Sequence, residues 1–491
     1  MQKLNASTLH QLDSAVAVPA YDRSKVSVGI VHFGVGGFHR AHQAMYVDQL
    51  MNDGKAMDWG ICGVGVMPAD QRMKTVMDAQ NGLYTLVVKH PDGSYVPRVV
   101  GSIVEYLYAP EDVEAVLEKM ARPEVRIVSL TVTEGGYNFH HVSGEFNFDN
   151  ADVKHDLEDG AAPKTTFGLV TEALSRRKQR GIAPFTVMSC DNIQGNGDVA
   201  KATFTAYARR KDAALGAWIV DHVKFPNSMV DRITPVTTDT DRDEVKQRFG
   251  IDDAWPVVCE PFTQWVLEDH FNQGRPAFED VGVQVVDEVM PYELMKLRLL
   301  NASHQALTYF GYLAGYRYAH EVCQDPLFVE FLLGYMVEEG SPTLSPLPGV
   351  DLDLYRKTLI ERFANPQIRD TLARLCAESS DRIPKWLVPV IRHQLENDGE
   401  IRRSAAVVAS WARYDEGIDE EGKPIEIVDR LKDQLHAIAQ NNRDNPLAFI
   451  ENRELFGDLA DHPRFVEAYT WALESLHRVG ARATLEALRD L

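Results

Sequence analysis

The sequence predicts an α/β amino-terminal part followed by a mostly α-helical carboxy-terminal part. Three observations carry this reading. Short runs of apolar and β-branched residues alternate with helical spacings as far as about residue 285. The first such run ends in a glycine-rich turn that opens a helix. Beyond residue 285 the β-branched runs give way to long segments of helical spacing.

At 491 residues the chain is long for one hydrophobic core, so two domains are expected, bounded 1–285 and 286–491. Its 45% apolar and 25% charged content is ordinary for a soluble globular protein. A formal charge of −21 argues against nucleic-acid binding, which needs concentrated Lys and Arg. The five cysteines are scattered and never spaced as Cys-x-x-Cys, which fits a reducing cytoplasm and gives no zinc or disulfide framework. No run of eighteen apolar residues suggests a membrane span, and the first residues lack a signal-peptide core.

The elements follow in order. Residues 1–25 form a polar lead-in. Val28–Phe33 reads as a buried strand, followed at once by Gly34-Val-Gly-Gly-Phe-His-Arg40 and a helical spacing over 41–51. Strand, glycine turn and helix form the context in which a Rossmann-type domain cradles a dinucleotide. Gly34 permits the tight turn, Gly36 lets backbone approach the pyrophosphate, and Gly37, Phe38 and Arg40 complete the loop. His39 stands where a third glycine is usual. A second strand over 59–67 leads to Asp70, whose carboxylate suits the adenosine ribose hydroxyls and repels a 2′-phosphate. An exposed helix cap is the competing account of Asp70.

A hairpin over 83–100, a strand at Ile103–Tyr108, a helix over 111–121 and strands at 125–133 and 185–190 complete the α/β part. The last two strands stop at Glu134 and at Asp191-Asn192. Ligands in open α/β sheets bind beyond the carboxyl ends of strands, which puts Gly34, Gly36, Glu134 and Asn192 on one rim.

The helical part begins with a predicted long helix over 291–315, apolar on nearly all sides yet carrying Lys296, Asn301 and His304. Positions i, i+5 and i+8 of an α-helix lie at about 0°, 140° and 80°, one broad face over about 12 Å. A lysine in such a setting is expected to lose its proton towards neutral pH and so to serve as a base. Further helices are predicted over 325–339, 351–364, 366–377, 385–398 and in the tail from 424, with a proline-rich loop at 341–349. The expected substrate cleft lies between the two domains.

Lys296-Leu-Arg-Leu-Leu-Asn-Ala-Ser-His304 resembles the signature of the polyol-specific long-chain dehydrogenases, the mannitol dehydrogenase family. Gly34–His42, Thr131–Tyr137, Ser189–Ile193 and Pro226–Pro235 resemble further motifs of that family, in the family's order and along nearly the whole chain. The resemblance implies a zinc-free, NAD-dependent interconversion of a polyol and its ketose, D-mannitol and D-fructose, by a monomer. It assigns Lys296 as general base and the amides of Asn192 and Asn301 as an oxyanion pocket. His304 and Asp231 match substrate ligands. Glu134 and Glu293 match carboxylates that pass the proton to water, against a bland reading as strand-end and first-turn acids. Arg374 and Arg382 match positions that hold distal substrate hydroxyls. Lysine is the family's residue at 382, which puts the sugar specificity in question, and Lys385 is an alternative.

Other readings compete. D-Arabinitol or sorbitol dehydrogenases and hexuronate reductases share the pattern, although the resembling fructuronate reductases carry Gly at the place of Ala302. A non-catalytic nucleotide-binding protein would be expected to have lost Lys296 or Asn301. Tyr207-x-x-x-Lys211 has the short-chain dehydrogenase spacing, on what reads as an exposed helix face. His39 and His42 make a poor zinc pair without further ligands, so no metal is expected.

Overall fold

The computed structural model describes residues 2–139 and 145–491. The chain divides into two compact units, Met1–Met290 and Pro291–Leu491.

The first unit is built on a five-stranded sheet. Its strands are β1 (Val28–Phe33), β2 (Gly60–Gly65), β3 (Ile103–Tyr108), β4 (Ile127–Leu130) and β5 (Thr186–Ser189). They lie in the order β3-β2-β1-β4-β5, and every neighbouring pair is parallel. That is the strand order of the Rossmann fold, whose chain reverses direction across the sheet at β1. Both faces are covered, which is why the strands read as unbroken apolar runs. Val31, Phe33, Val64, Val128 and Val187 belong to one apolar cluster, and Ile30, Ile61, Ile103, Ile127 and Met188 to the other.

The predicted hairpin exists as Tyr84–Lys89 paired with Tyr95–Val100, but it joins Val257–Cys259 in a separate sheet. A third sheet holds Gln284–Val286, Gln264–Glu268 and Ser228–Asp231. The strand expected over 125–133 is shorter than its β-branched composition suggested. Its ladder ends at Leu130 because the Val132 and Thr133 N–H groups turn instead to the carboxylate of Asp191.

The second unit is helical, and its core surrounds Ala302–Leu313, with Leu372, Leu375, Val408, Trp411 and Tyr469 among the residues around it. The single helix expected over 291–315 is in fact three segments. An α-helix at Met290–Met295 passes into a π-helix at Lys296–Asn301 and then into the Ala302–Leu313 α-helix. The helix expected over 366–377 is confined to Leu372–Cys376; Pro366 and the left-handed backbone of Arg369 (φ 53°) keep the preceding residues out of it. The helix expected over 385–398 is two helices, Ser379–Trp386 and Val388–Glu396, the second carrying Pro389 in its first turn.

Candidate active site

In the first unit the glycine turn sits at the carboxyl end of β1. Gly34 has φ +88°, and a Cβ there would lie 2.1 Å from the Thr131 carbonyl oxygen, so no other residue fits. Gly36 is different in kind. A Cβ there would meet nothing nearer than the Gly34 carbonyl, at 3.9 Å, so the missing side chain leaves open space above the backbone. This is the cradle a pyrophosphate requires. The helix that follows, α1 (Gly37–Ala41), is only five residues long and breaks at His42 before α2 (Gln43–Asn52). The helix expected over 41–51 is thus found at Gln43–Asn52, with its expected first residue, Ala41, closing the short helix before the break.

His39, in place of a third glycine, is accommodated by stacking. Its ring lies 3.4 Å from that of His32 on β1, nearly parallel at 11°, and both are buried. A flat ring on a flat ring allows the close helix–strand approach that glycine usually provides. Burial drives both imidazoles towards the neutral form, His32 down to about 3. His42 is committed to the Gln264 carbonyl at 2.8 Å. Among the described residues no group of three or more His, Cys, Asp or Glu is placed to hold a metal ion. Arg40 is fully buried, donating to the carbonyls of Trp255 (2.5 Å) and Gly36 (3.3 Å), so it braces the loop from inside. Phe38 stacks on His42 at 4.9 Å.

Asp70 opens the helix Asp70–Ala79, and its carboxylate accepts the N–H groups of Val66 and Met67, both at 2.8 Å. It therefore fixes the turn that leaves β2, in the manner of a cap, and does so at the strand end where an adenosine ribose would be read.

The rim foreseen at the strand ends is tied together by hydrogen bonds. The Thr131 hydroxyl donates to the Gly34 carbonyl at 2.6 Å, joining the exits of β1 and β4. The Asp191 carboxylate accepts from Thr133 N–H (2.7 Å), Val132 N–H (3.2 Å) and the Tyr137 hydroxyl (2.7 Å), joining the exits of β4 and β5. Asn196 donates to the carbonyls of Asp191 (3.0 Å) and Ser228 (2.8 Å), adding the strand that ends at Asp231. Half-buried Glu134, exposed Asn192 and buried Asp231 thus stand on one connected framework. Thr133, immediately before Glu134, holds φ +64°, a conformation that a β-branched residue adopts only when forced. Asp191 supplies the force, and burial raises its carboxyl to about 6.

Sequence reasoning passed over Asp191, Asn196 and Arg232. Arg232 is buried and donates to the Ala41 carbonyl at 2.8 Å, where α1 breaks, and to the Glu260 carbonyl. For Asp191 the signal was present, an acid at the end of a parallel strand beside Asn192. Asn196 and Arg232 act on partners far away in sequence and carried no local signal. Tyr207 is buried, not exposed, and Lys211 donates to the carbonyls of Asp156 and Glu158, so this pair staples a loop.

In the second unit Lys296 and Asn301 are the first and last residues of the π-helix, and both are buried. In an α-helix they would stand about 140° apart. In a π turn, where bonds close from i to i+5, residues five apart become neighbours on one face. The π turn therefore brings lysine and amide closer together than the α-helical reading allowed. The Asn301 Oδ1 is buried and accepts no hydrogen bond among the described residues. Glu293 lies one turn before Lys296 and is buried. His304 packs its ring 4.5 Å from Phe363.

Arg374 and Arg382 stand on the helices Leu372–Cys376 and Ser379–Trp386. Both helices pack on Ala302–Leu313, where the Thr308 hydroxyl donates to the Leu372 carbonyl (3.1 Å) and the Tyr309 and Ser379 hydroxyls bond each other. Arg374 is exposed and gripped by Asp370 through two bonds of 2.6 Å. Arg382 is half-buried, its guanidinium on the Leu375 carbonyl at 3.0 Å, and burial lowers its affinity for a proton. Lys385, exposed, lies one turn further along the same helix.

Residues 28–280 match the mannitol dehydrogenase Rossmann domain, and residues 288–477 match the mannitol dehydrogenase C-terminal domain. A mannitol 2-dehydrogenase of Aspergillus fumigatus is 46% identical over 494 residues, spanning 98% of each chain. One from Phaeosphaeria nodorum is 47% identical, over 98% of this chain and 85% of the relative. Among solved structures, the ternary complex of Pseudomonas fluorescens mannitol 2-dehydrogenase with NAD and D-mannitol matches over the whole of both chains, with 46% identity and a TM-score of 0.89. A D-sorbitol dehydrogenase in substrate-free form matches 98% of this chain at 37% identity and a TM-score of 0.92. With both family domains matched in order and relatives this similar along nearly its full length, the chain belongs to the mannitol dehydrogenase family.

Proposed function

We propose that this protein is an NAD-dependent polyol dehydrogenase that oxidises D-mannitol to D-fructose reversibly, with Lys296 as general base. The observation that carries the reading is the π turn with buried Lys296 at one end and buried Asn301 at the other. Oxidising a secondary alcohol needs a base for the hydroxyl proton and donors for the oxygen as charge grows on it. Lys296, as the neutral amine, takes the proton. The amides of Asn192 and Asn301 donate to the oxygen, a contribution of about 3 kcal/mol per donor. Glu134 and Glu293 hand the proton on to water, and His304 and Asp231 orient the substrate. Arg374 and Arg382 hold its distal hydroxyls.

NAD, when bound, accepts the hydride. Gly34, Gly36 and Gly37 fit it, because the space above Gly36 is what a pyrophosphate needs. Phe38 and Arg40 support that loop, and Asp70 disfavours a 2′-phosphate. Five free, buried cysteines agree with a cytoplasmic protein, and among the described residues no helix is long and apolar enough to cross a membrane.

A second reading, D-sorbitol as the preferred substrate, is favoured by the likeness to a D-sorbitol dehydrogenase. Assaying D-mannitol, D-sorbitol, D-arabinitol and their ketoses with NAD(H) and NADP(H) by nicotinamide absorbance tests both. D-Mannitol and D-fructose with NAD(H) are expected to give the highest kcat/KM. A higher value for D-sorbitol establishes the second reading, and no turnover of any polyol overturns both.

A further inference from the structure

The second unit contains a second π-helix, Tyr335–Gly340, and it braces the first. In each, an N–H reaches five residues back: Ala302 to the Leu297 carbonyl, and Ser341 to the Met336 carbonyl. In a regular α-helix the Ala302 N–H would bond the Arg298 carbonyl. Here it bonds Leu297 and Leu299, and Arg298 loses its α-helical donor. The fully buried Tyr335 hydroxyl donates to that carbonyl at 2.8 Å. Two further contacts act at the same place. The Arg298 guanidinium donates to the Thr343 carbonyl at 2.6 Å, just beyond the second π-helix. Gly340 comes so close that a Cβ there would lie 2.9 Å from Leu299 Cδ2 and 3.3 Å from the Arg298 carbonyl oxygen.

A π turn inside an α-helix has a ready alternative, the α register. Returning to it would restore the Ala302-to-Arg298 bond and rotate Asn301 away from Lys296. The Tyr335 hydroxyl opposes this, because it satisfies the one carbonyl whose need for a donor would otherwise favour the return. We infer that Tyr335 is a positioning residue for the oxidation: acting through the Arg298 carbonyl, it keeps residues 296–301 in π register, so that Lys296 and Asn301 share one face. This rests on the reading of Lys296 as base and Asn301 as oxygen donor.

Tyr335→Phe removes a single oxygen. D-Mannitol oxidation by the variant is measured from pH 6 to pH 10, together with NAD affinity by fluorescence titration. The expected result is a fall in kcat of about tenfold, NAD affinity within twofold of the parent, and a displacement of the ionisation that controls oxidation. An unchanged kcat overturns the proposal, and so does a loss of kcat with the pH profile unmoved, the sign of a merely structural role. Gly340→Ala, which presses on Leu299 and Arg298 from the same side, is expected to give the same signature and carries the test if Tyr335→Phe does not fold. Full activity in Lys296→Ala would instead remove the underlying reading, an outcome distinct from either result at Tyr335.

Discussion

Replacing Asp191 by Asn separates what this carboxylate does for stability from what it does for the site. Its two oxygens accept two backbone N–H groups and the Tyr137 hydroxyl, yet burial still raises its pKa from 3.8 to about 6. At pH 8 the ionised group therefore costs the fold about 3 kcal/mol, at about 1.4 kcal/mol per pH unit. Asparagine lifts that cost. Its single amide oxygen, however, leaves one of the three donors unmatched, at about 1–3 kcal/mol. The two effects nearly offset at pH 8.

The pH dependence is sharper. A folded-state pKa above the unfolded value gives stability that is complete below pH 3.8 and lost as pH rises through about 6. The wild type loses this contribution and the variant has none to lose. The stability of Asp191→Asn, relative to wild type, should therefore rise by about 2 kcal/mol between pH 4.5 and pH 8, a relative gain in melting temperature on the order of 4 °C. Turnover should fall about tenfold at every pH, because Thr133 loses the bond that holds its left-handed backbone and so the direction of Glu134. Differential scanning fluorimetry across pH, with kcat measured alongside, is the assay. A melting difference that does not change with pH, or full turnover, refutes the reasoning.

The two glycines should behave oppositely. Gly34→Ala, with φ +88° and backbone 2.1 Å away, should destabilise the fold by more than about 3 kcal/mol in urea unfolding, whereas Gly36→Val should melt within about 2 °C of wild type yet bind NAD at least tenfold more weakly. Equal NAD affinity in Gly36→Val would take the pyrophosphate away from this turn. Asp70→Ala should improve the use of NADP relative to NAD and loosen the Val66–Met67 turn, whose two N–H groups lose their acceptor. An unchanged cofactor ratio leaves Asp70 a cap and nothing more.

Much of the first unit was legible because both sheet faces are buried: Val28–Phe33 and Ile103–Tyr108 are strands over the residues their apolar runs marked. The end of β4 was not legible. Val132 and Thr133 have strand composition, and only the carboxylate of Asp191, about sixty residues away, diverts their N–H groups. The polar residues of the 291–315 segment stood out against its apolar surroundings, but their angular relation did not. Periodicity reasoning assumes 3.6 residues per turn, and nothing local in Lys-Leu-Arg-Leu-Leu-Asn announces a π turn. The reason for it lies in Tyr335, Gly340 and Thr343, which sequence separates from Lys296 and packing does not. The helices around Arg374 were misjudged for a local reason, the breaks at Pro366 and before Pro389, which run counter to an otherwise helical spacing.

The most direct test of the central claim compares wild type with Lys296→Ala in D-mannitol oxidation across pH, with NAD binding followed by fluorescence titration. The wild type should gain activity with rising pH through one ionisation as Lys296 gives up its proton. Lys296→Ala should bind NAD normally, turn over at least a hundredfold more slowly and lack that ionisation. Full turnover, or the same pH profile in both proteins, contradicts Lys296 as the base.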